Sequence, residues 1–213
     1  MQRRECLHSL ALAGLTLGTT PLMAQQRPFE DGREYISLDK PVPTEAAAGK
    51  VEVIEFFWYS CPHCNHFEPQ LEQWLQKLPK HVSFKRVPVA FRDNFVPQQR
   101  LFYTLEAMGK VDAMHKKVFH AIHDEKLTLD RENLILDWVE KQGLDRKQFA
   151  SIYNAFSTNA KASRAAQLQR SFQVSGVPSL GIAGRYYTDG SMAGNMARAL
   201  QVADHLIEKS RKG

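Results

Sequence analysis

Apolar residues follow two kinds of spacing along this chain, one typical of strands and one typical of helices. Each change from one spacing to the other marks a boundary between predicted elements. The run 51–57 is apolar and aromatic except at Glu52 and Glu55, which is typical of a buried strand. From Phe67 onwards, apolar residues recur every three or four positions with polar residues between them, as on one face of a helix. The segment 82–89 alternates like a second strand. This order predicts a parallel β-α-β unit.

The helical spacing returns for a long stretch after residue 90. Several amphipathic segments follow one another there, and Asp130 and Asp145 stand where N-caps belong. A further helix over about 160–172 precedes a strand that begins near Gly176, and a hairpin at 182–187 leads into a closing helix. The apolar residues that define the middle segments are Leu101, Leu105 and Met108, then Val111, Met114, Val118, Phe119 and Ile122, then Leu134, Ile135, Trp138 and Val139, and finally Phe149, Ile152, Tyr153 and Phe156.

Two cysteines stand at the junction between the first strand and the first helix. The pattern places Cys61 at the helix N-terminus and Cys64 one turn inside it. There, unpaired backbone N–H groups and the positive end of the helix dipole stabilise a Cys61 thiolate. An imidazolium at His63 would stabilise it further, and Pro62 suits the first helical turn because its missing N–H would be unpaired there. This arrangement predicts a redox-active pair.

The first 24 residues have the pattern of a secretory signal peptide. A basic start precedes an apolar segment that is short for a membrane span, and Ala24 stands before a polar stretch. A short membrane anchor is the alternative. Cleavage after Ala24 would remove Cys6 and leave Cys61 and Cys64 as the cysteines of the exported protein. An even number of cysteines in an exported chain is typical of a pair that can close.

Composition narrows the classes of function. A chain of 213 residues, 43% of them hydrophobic, can bury a core without a disulfide as a staple, so the cysteine pair is better explained by chemistry. The formal net charge of +5 is spread along the chain, with a small basic cluster at Lys209, Arg211 and Lys212. Because no basic patch is interleaved with aromatic residues, we predict no nucleic-acid partner.

The sequence around the cysteines resembles a known family. Cys61-Pro62-His63-Cys64, with Glu55-Phe56-Phe57 before it and Pro69 after it, is similar to the thioredoxin superfamily and, within it, to the DsbA family of bacterial periplasmic dithiol oxidases. The resemblance covers most of the chain after about residue 27. It implies a protein that donates disulfide bonds through Cys61 and Cys64, without a metal or other cofactor.

The same resemblance implies a domain organisation. The fold would be α/β, with a thioredoxin-like domain formed by residues 25–90 and 161–213 and an inserted all-helical domain at 91–160. The segment before the first long strand is too short for the separate dimerisation domain of the related disulfide isomerases. We therefore expect a monomeric oxidase.

The resemblance also implies roles for individual residues. Cys61 would be the more exposed cysteine, which joins the client, while Cys64 holds the resting disulfide and resolves stalled intermediates. Pro62 and His63 would tune the redox potential. Val177 and Pro178 would match the cis-proline segment that faces the cysteines and offers backbone hydrogen bonds to an extended client. Glu55 would match a buried acid that moves protons near the second cysteine, and a structural ion pair is the other interpretation of a carboxylate in an apolar strand.

The partners implied are unfolded, cysteine-containing exported proteins and a membrane reoxidant of the quinone-linked DsbB type, both met in the bacterial periplasm. Phe57, Trp58 and Tyr59, with Val177, would line the groove that binds them. Core packing is the alternative for these aromatic residues and the preferred one for Phe56 and Phe57.

Three other functions use the same residues. A thiol reductase would run the reaction in the opposite direction, and an isomerase would need the missing dimerisation segment. A metal-binding or chaperone-like module could use Cys61, Cys64 and His66, but a further ligand is not found nearby in sequence. His120 and His123 lie about one helical turn apart, and a solvated helix face is the preferred interpretation of that spacing.

Overall fold

The computed structural model describes residues 28–212, so the predicted signal peptide of residues 1–24, together with Cys6, lies outside the described residues. The strands of its central sheet, in chain order, are Ile36–Ser37 (β1), Val51–Phe57 (β2), Val82–Pro88 (β3), Ser179–Ile182 (β4) and Tyr186–Asp189 (β5). Across the sheet the order is β1-β5-β4-β2-β3. The pair β2 and β3 is parallel, and the other neighbours are antiparallel.

Helices cover both faces of this sheet. The bounds, in chain order, are Pro62–Leu75 (α1), Val96–Ala107 (α2), Val111–His123 (α3), Glu132–Lys141 (α4), Arg146–Tyr153 (α5), Phe156–Ser171 (α6), Gly190–Ala193 (α7) and Met196–Lys212 (α8), with a 3₁₀ turn at Asp93–Phe95 before α2. Among the helices of residues 28–212, none is long and apolar enough to cross a membrane.

Alternate side chains of β2 enter two separate hydrophobic cores. Val51 and Val53 pack with Phe67 of α1 and with the apolar face of α8 on one side of the sheet. Ile54 and Phe56 pack on the other side, against residues of α2 to α6. Since a strand directs successive side chains to opposite faces, one buried strand holds both layers together.

The predicted α/β architecture is confirmed. The unit β2-α1-β3 is parallel, and the helices α2 to α6 lie between β3 and β4 in the chain, as the sequence predicts for a helical insertion. Pro88 ends β3, which is an edge strand in this sheet, and this agrees with the restriction of proline to edges and exits. The division into domains at residues 90 and 160 stays a prediction, and the continuous helix α6 crosses the second of these boundaries.

Two details of the helical prediction were wrong at the end of this stretch. The apolar series from Phe149 does not run through Phe156, because α5 ends at Tyr153 and the extended Ala155 starts a new direction. Phe156 is the first residue of α6 and is 88% exposed. The helix expected from about residue 160 therefore begins earlier. An apolar residue that continues a helical spacing by chance explains the error.

The two predicted N-caps had different outcomes. Asp145 is the N-cap of α5, and its side chain accepts a hydrogen bond from the backbone N–H of Gln148 at 2.8 Å. Asp130 is not the N-cap of α4, because the extended residue before that helix is Arg131. The Asp130 carboxylate instead faces the Arg131 guanidinium, with 3.3 Å between Oδ1 and Nε.

Candidate active site

The end of β2 and the start of α1 place the two cysteines as predicted. Cys61 is the N-cap of α1 in an extended conformation, Pro62 is the first helical residue, and Cys64 lies one turn further on. Both cysteines are free thiols in this structure. Cys61 retains 7% of its surface and Cys64 none, so Cys61 is the more exposed residue by a small margin only.

The two cysteines have different pKa values because their surroundings differ. The Cys64 thiol donates a hydrogen bond to the Cys61 sulfur, and the backbone N–H groups of Cys64 and His63 add to this effect. Together with the charge of His63, the smallest of these causes, they outweigh burial and lower the pKa of Cys61 to about 6. Burial, and then the neighbouring Cys61, raise the pKa of Cys64 well above its usual value. At neutral pH the pair therefore holds one thiolate, on Cys61, and one proton, on Cys64.

This depressed pKa predicts a pH dependence of stability. The pKa of Cys61 is about 6 in the folded reduced protein, against roughly 8.5 for an unfolded cysteine. The reduced form therefore gains stability from Cys61 as pH rises between these values and loses it as pH falls through about 6. The oxidised form has no thiol to titrate. We expect urea unfolding to show that the stability of the reduced form, relative to the oxidised form, rises from about pH 5 to about pH 8.

A suitable control for this pH dependence is Cys61→Ser compared with the wild-type reduced protein. The variant keeps Cys64, whose raised pKa places its titration above the window used. If the stability of the reduced wild-type protein, relative to the oxidised form, does not change between about pH 5 and about pH 8, the depressed pKa of Cys61 is contradicted.

The predicted cis-proline segment lies beside Cys61. The peptide bond between Val177 and Pro178 is cis, and Sγ of Cys61 lies 3.4 Å from the Val177 carbonyl oxygen. A cleft of about 440 Å³ opens here. Its lining includes His63, Val177, Pro178, Asp189 and Met196, so it joins the start of α1 to the loop before β4 and to the start of α8.

A buried cluster of charges lies under the cysteine pair. Glu55 is fully buried on β2, and its Oε2 lies 3.0 Å from Nε of Arg86 on β3. Nη2 of the same guanidinium donates to Oε2 of Glu68 on α1, also at 3.0 Å. Burial and the negative charge of Glu68 outweigh Arg86 and raise the pKa of Glu55 to about 8. Glu55 is also one of the groups that raise the pKa of Cys64.

Both interpretations of Glu55 are therefore compatible with its position. It forms the ion pair that the sequence suggested, and it also lies close enough to affect the titration of Cys64. Sequence reasoning missed the two other charged groups of this cluster, Arg86 and Glu68. The parallel register that pairs Glu55 with Arg86 could have identified the first of them, because both residues lie at matching positions of predicted neighbouring strands.

The expectation of an aromatic groove before the cysteines is wrong for Tyr59. Phe57 is fully buried, as the preferred interpretation stated, and Tyr59 is only 1% exposed. The Tyr59 hydroxyl lies 2.9 Å from Nδ1 of His115, inside the helical layer. Only Trp58 is partly exposed, and it stacks on Phe95 with 3.6 Å between ring centroids.

The three histidines considered above as possible metal ligands lie apart from one another in their surroundings. His66 is exposed on α1, and His120 is exposed on α3, where it pairs with Asp124. His123 does not lie on a solvated face as expected, because its Nε2 is 2.7 Å from the Tyr59 carbonyl. Within residues 28–212 there is no group of three or more metal-ligating side chains that could hold an ion.

Comparisons with known proteins agree with this geometry. A family model described as a DSBA-like thioredoxin domain matches residues 52–201. The thiol:disulfide interchange protein DsbA of Bordetella pertussis is 40% identical over 94% of this chain and 96% of its own length. The crystal structure of Pseudomonas aeruginosa DsbA superposes with a TM-score of 0.82 at 40% identity, covering 86% of this chain and 95% of that one. The oxidoreductase NmDsbA1 of Neisseria meningitidis gives a TM-score of 0.74 at 27% identity, over 86% of this chain and 94% of that one.

Proposed function

The chain belongs to the DsbA-like thioredoxin family, and on this premise we propose that it donates disulfide bonds to folding proteins through Cys61 and Cys64. It is a thiol:disulfide oxidoreductase. The observation that carries the proposed direction is the contrast between the two sulfurs, since the pKa of Cys61 is lowered to about 6 while that of Cys64 is raised. A stabilised Cys61 thiolate favours the reduced enzyme and therefore the oxidised client.

The first step begins from the oxidised enzyme. A thiolate of the client attacks Sγ of Cys61, and a new sulfur–sulfur bond forms between client and enzyme. The Cys61–Cys64 bond breaks at the same time, and its electron pair leaves with the sulfur of Cys64. Because burial raises the pKa of Cys64, this sulfur takes up a proton and becomes a thiol.

The second step releases the client. A second client thiolate attacks the client sulfur of the mixed disulfide, so that the client closes its own disulfide bond. Cys61 leaves with the electron pair as a thiolate. The thiol of Cys64 and the N–H groups of the first turn of α1 hold that charge, and they make Cys61 a good leaving group. The client has lost two electrons and the enzyme has gained them.

We place the client along the cleft beside Val177 and Pro178. The proximity of the Val177 carbonyl to Sγ of Cys61 supports this position, because an extended client whose cysteine reaches Cys61 must pass this backbone. Pro62 and His63 act as tuning residues at the start of α1. With a pKa of about 8, Glu55 carries a proton through part of the neutral range and can supply it near Cys64.

Turnover requires an oxidant for the reduced pair. We propose a membrane reoxidant of the quinone-linked DsbB type, with unfolded, cysteine-containing exported proteins as clients. The compartment is the bacterial periplasm, reached through the signal peptide of residues 1–24. We propose that the protein acts as a monomer.

The test is the equilibrium of the mature protein with glutathione buffers, followed through the fluorescence of Trp58 beside the site. We expect the pair to be reduced even in strongly oxidising mixtures, because reduction places a stabilised thiolate on Cys61. A variant that lacks both cysteines gives the signal without redox change. A disulfide that persists until the buffer is as reducing as the cytosol would identify a reductase or a structural bond instead.

A further inference from the structure

The backbone turn before Cys61 is contacted by side chains of helices that lie outside the sheet. The Cys61 N–H donates to the Trp58 carbonyl at 3.0 Å, so Tyr59 and Ser60 form the corner of this turn. The corner follows β2 and precedes α1, and it fixes where Cys61 stands relative to the first turn of the helix. Any group that holds Tyr59 and Ser60 therefore also holds the sulfur of Cys61.

Three residues on one face of α3 contact Tyr59. His115, Phe119 and His123 are spaced four residues apart and lie along the same side of this helix. Nδ1 of His115 is 2.9 Å from the Tyr59 hydroxyl, and Nε2 of His123 donates to the Tyr59 carbonyl at 2.7 Å. The ring of Phe119 lies between them, with its centroid 5.1 Å from that of Tyr59.

A residue of α2 holds Ser60 in the same way. Gln98 is only 2% exposed, and its Oε1 accepts a hydrogen bond from the Ser60 N–H at 3.2 Å. Its Nε2 donates to the Ser60 hydroxyl at 2.6 Å. A buried amide that uses both of its ends on one residue is a specific attachment, because each unmade bond would leave a desolvated polar atom without a partner.

We propose that Gln98, His115 and His123 are positioning residues for the disulfide exchange of Cys61. All three belong to the helices between β3 and β4, so these helices set the geometry of a site whose cysteines lie outside them. The proposal rests on the function proposed above. It gives the helical insertion a role in redox chemistry in addition to forming a hydrophobic layer.

The reduced enzyme depends on this positioning more than the oxidised enzyme does. A Cys61 thiolate is stabilised by aligned donors, namely the Cys64 thiol and the first N–H groups of α1. In the oxidised enzyme, a covalent bond to Cys64 fixes the position of the Cys61 sulfur whether or not the turn is held. Loosening the turn therefore weakens the thiolate and makes the enzyme a weaker oxidant.

The experiment measures the glutathione equilibrium of three single variants, each of which removes an attachment while conserving bulk. Gln98→Met removes both bonds to Ser60, Tyr59→Phe removes the bond to His115, and His123→Met removes the bond to the Tyr59 carbonyl. We expect Tyr59→Phe and His123→Met each to lower the equilibrium constant for oxidation of glutathione by about two- to tenfold, the effect of one hydrogen bond, and Gln98→Met, which removes two, to lower it at least as much. His123→Gln restores an N–H donor and should recover most of the wild-type value.

Thr158→Val is the matched control. The Thr158 hydroxyl is buried among the same helices and donates to the Ile152 carbonyl at 2.6 Å, and neither group touches the turn. This variant should lower the melting temperature and leave the glutathione equilibrium unchanged. Since the equilibrium is measured only on folded protein, a variant that does not fold is replaced by the remaining two.

The possible results separate this inference from the proposed function. If the wild-type protein is not strongly oxidising, the proposed function fails, whatever the variants show. If the wild-type protein is strongly oxidising and the three variants match it while losing stability as Thr158→Val does, the residues are structural only and the positioning role is rejected. Failure of His123→Gln to recover the loss of His123→Met would also count against it.

Discussion

Replacing Cys61 with serine is expected to abolish disulfide transfer to a reduced client peptide, leaving only the uncatalysed rate. A serine hydroxyl cannot form the mixed disulfide, and no other free cysteine of residues 28–212 besides Cys64 could take its place. Cys64 is fully buried and its pKa is raised, so its thiol is protonated and inaccessible to a client. The measurement is the rate of peptide oxidation after the variant and the wild-type protein have been treated with the same oxidant and freed of it.

The companion variant Cys64→Ser should behave differently. Its Cys61 remains reactive and can form a mixed disulfide with an oxidised peptide or with oxidised glutathione, but it lacks the partner sulfur that resolves it. We expect the mixed species to accumulate and to be visible by mass spectrometry under non-reducing conditions. Continued turnover by Cys61→Ser, or accumulation of mixed species in that variant, would reverse the roles assigned to the two cysteines.

Replacing Arg86 with methionine is expected to destabilise the protein by about 3–5 kcal/mol, the usual cost of removing one partner from a buried ion pair. The guanidinium is the cation between Glu55 and Glu68, both of which are buried. Methionine fills similar space, so the loss is electrostatic for the most part. Urea unfolding of the oxidised protein measures it without the contribution of the thiols.

The loss should also depend on pH in a defined direction. Arg86 is one of the groups that lower the pKa of Glu55 and of Glu68, so without it each carboxyl group binds a proton more tightly than it does in the folded wild-type protein. Groups with such raised pKa values lose stability as pH rises, so the variant should be closer to wild type at about pH 5 than at about pH 8. An effect that is the same at both values would show that lost packing, and not buried charge, is the cause.

Arg146→Met provides the matched control for this variant. Arg146 also lies between two carboxylates, with Asp137 and Glu140 near its Nη1, but all three groups are on the surface. Water and salt screen this cluster, and exposed ion pairs contribute little to stability. We expect almost no change in its unfolding free energy. A loss as large as that of Arg86→Met would remove burial as the explanation.

The reactive part of the site was predictable from the sequence because its geometry is local. The strand 51–57, the helix from Pro62 and the spacing of Cys61 and Cys64 are enough to place a thiolate at a helix N-terminus. The neighbourhood of Val177 was predictable only through the family resemblance. Nothing in the local pattern around residue 177 indicates a contact with a cysteine 116 positions away.

The side chains that hold the turn before Cys61 could not be predicted from the sequence, because their contacts depend on how separate helices pack. Tyr59 follows an apolar run and has no local signal that distinguishes a groove residue from a buried one. Its burial results from the docking of α3, which brings His115 and His123 against it. His123 was assigned to a solvated face for the same reason, since helical spacing shows which residues share a face and does not show what covers that face.

The order of strands in the sheet also affects how early the site can form while the chain is being made. The strand that leads to Cys61 lies between β3 and β4, but β4 is made more than a hundred residues after it. A chain that emerges from its N-terminus first can form β2, α1 and β3 early, whereas closure of the sheet waits for the last quarter of the chain. The cleft beside Val177 therefore forms late. A newly made chain carries both cysteines long before it has a place to receive a client.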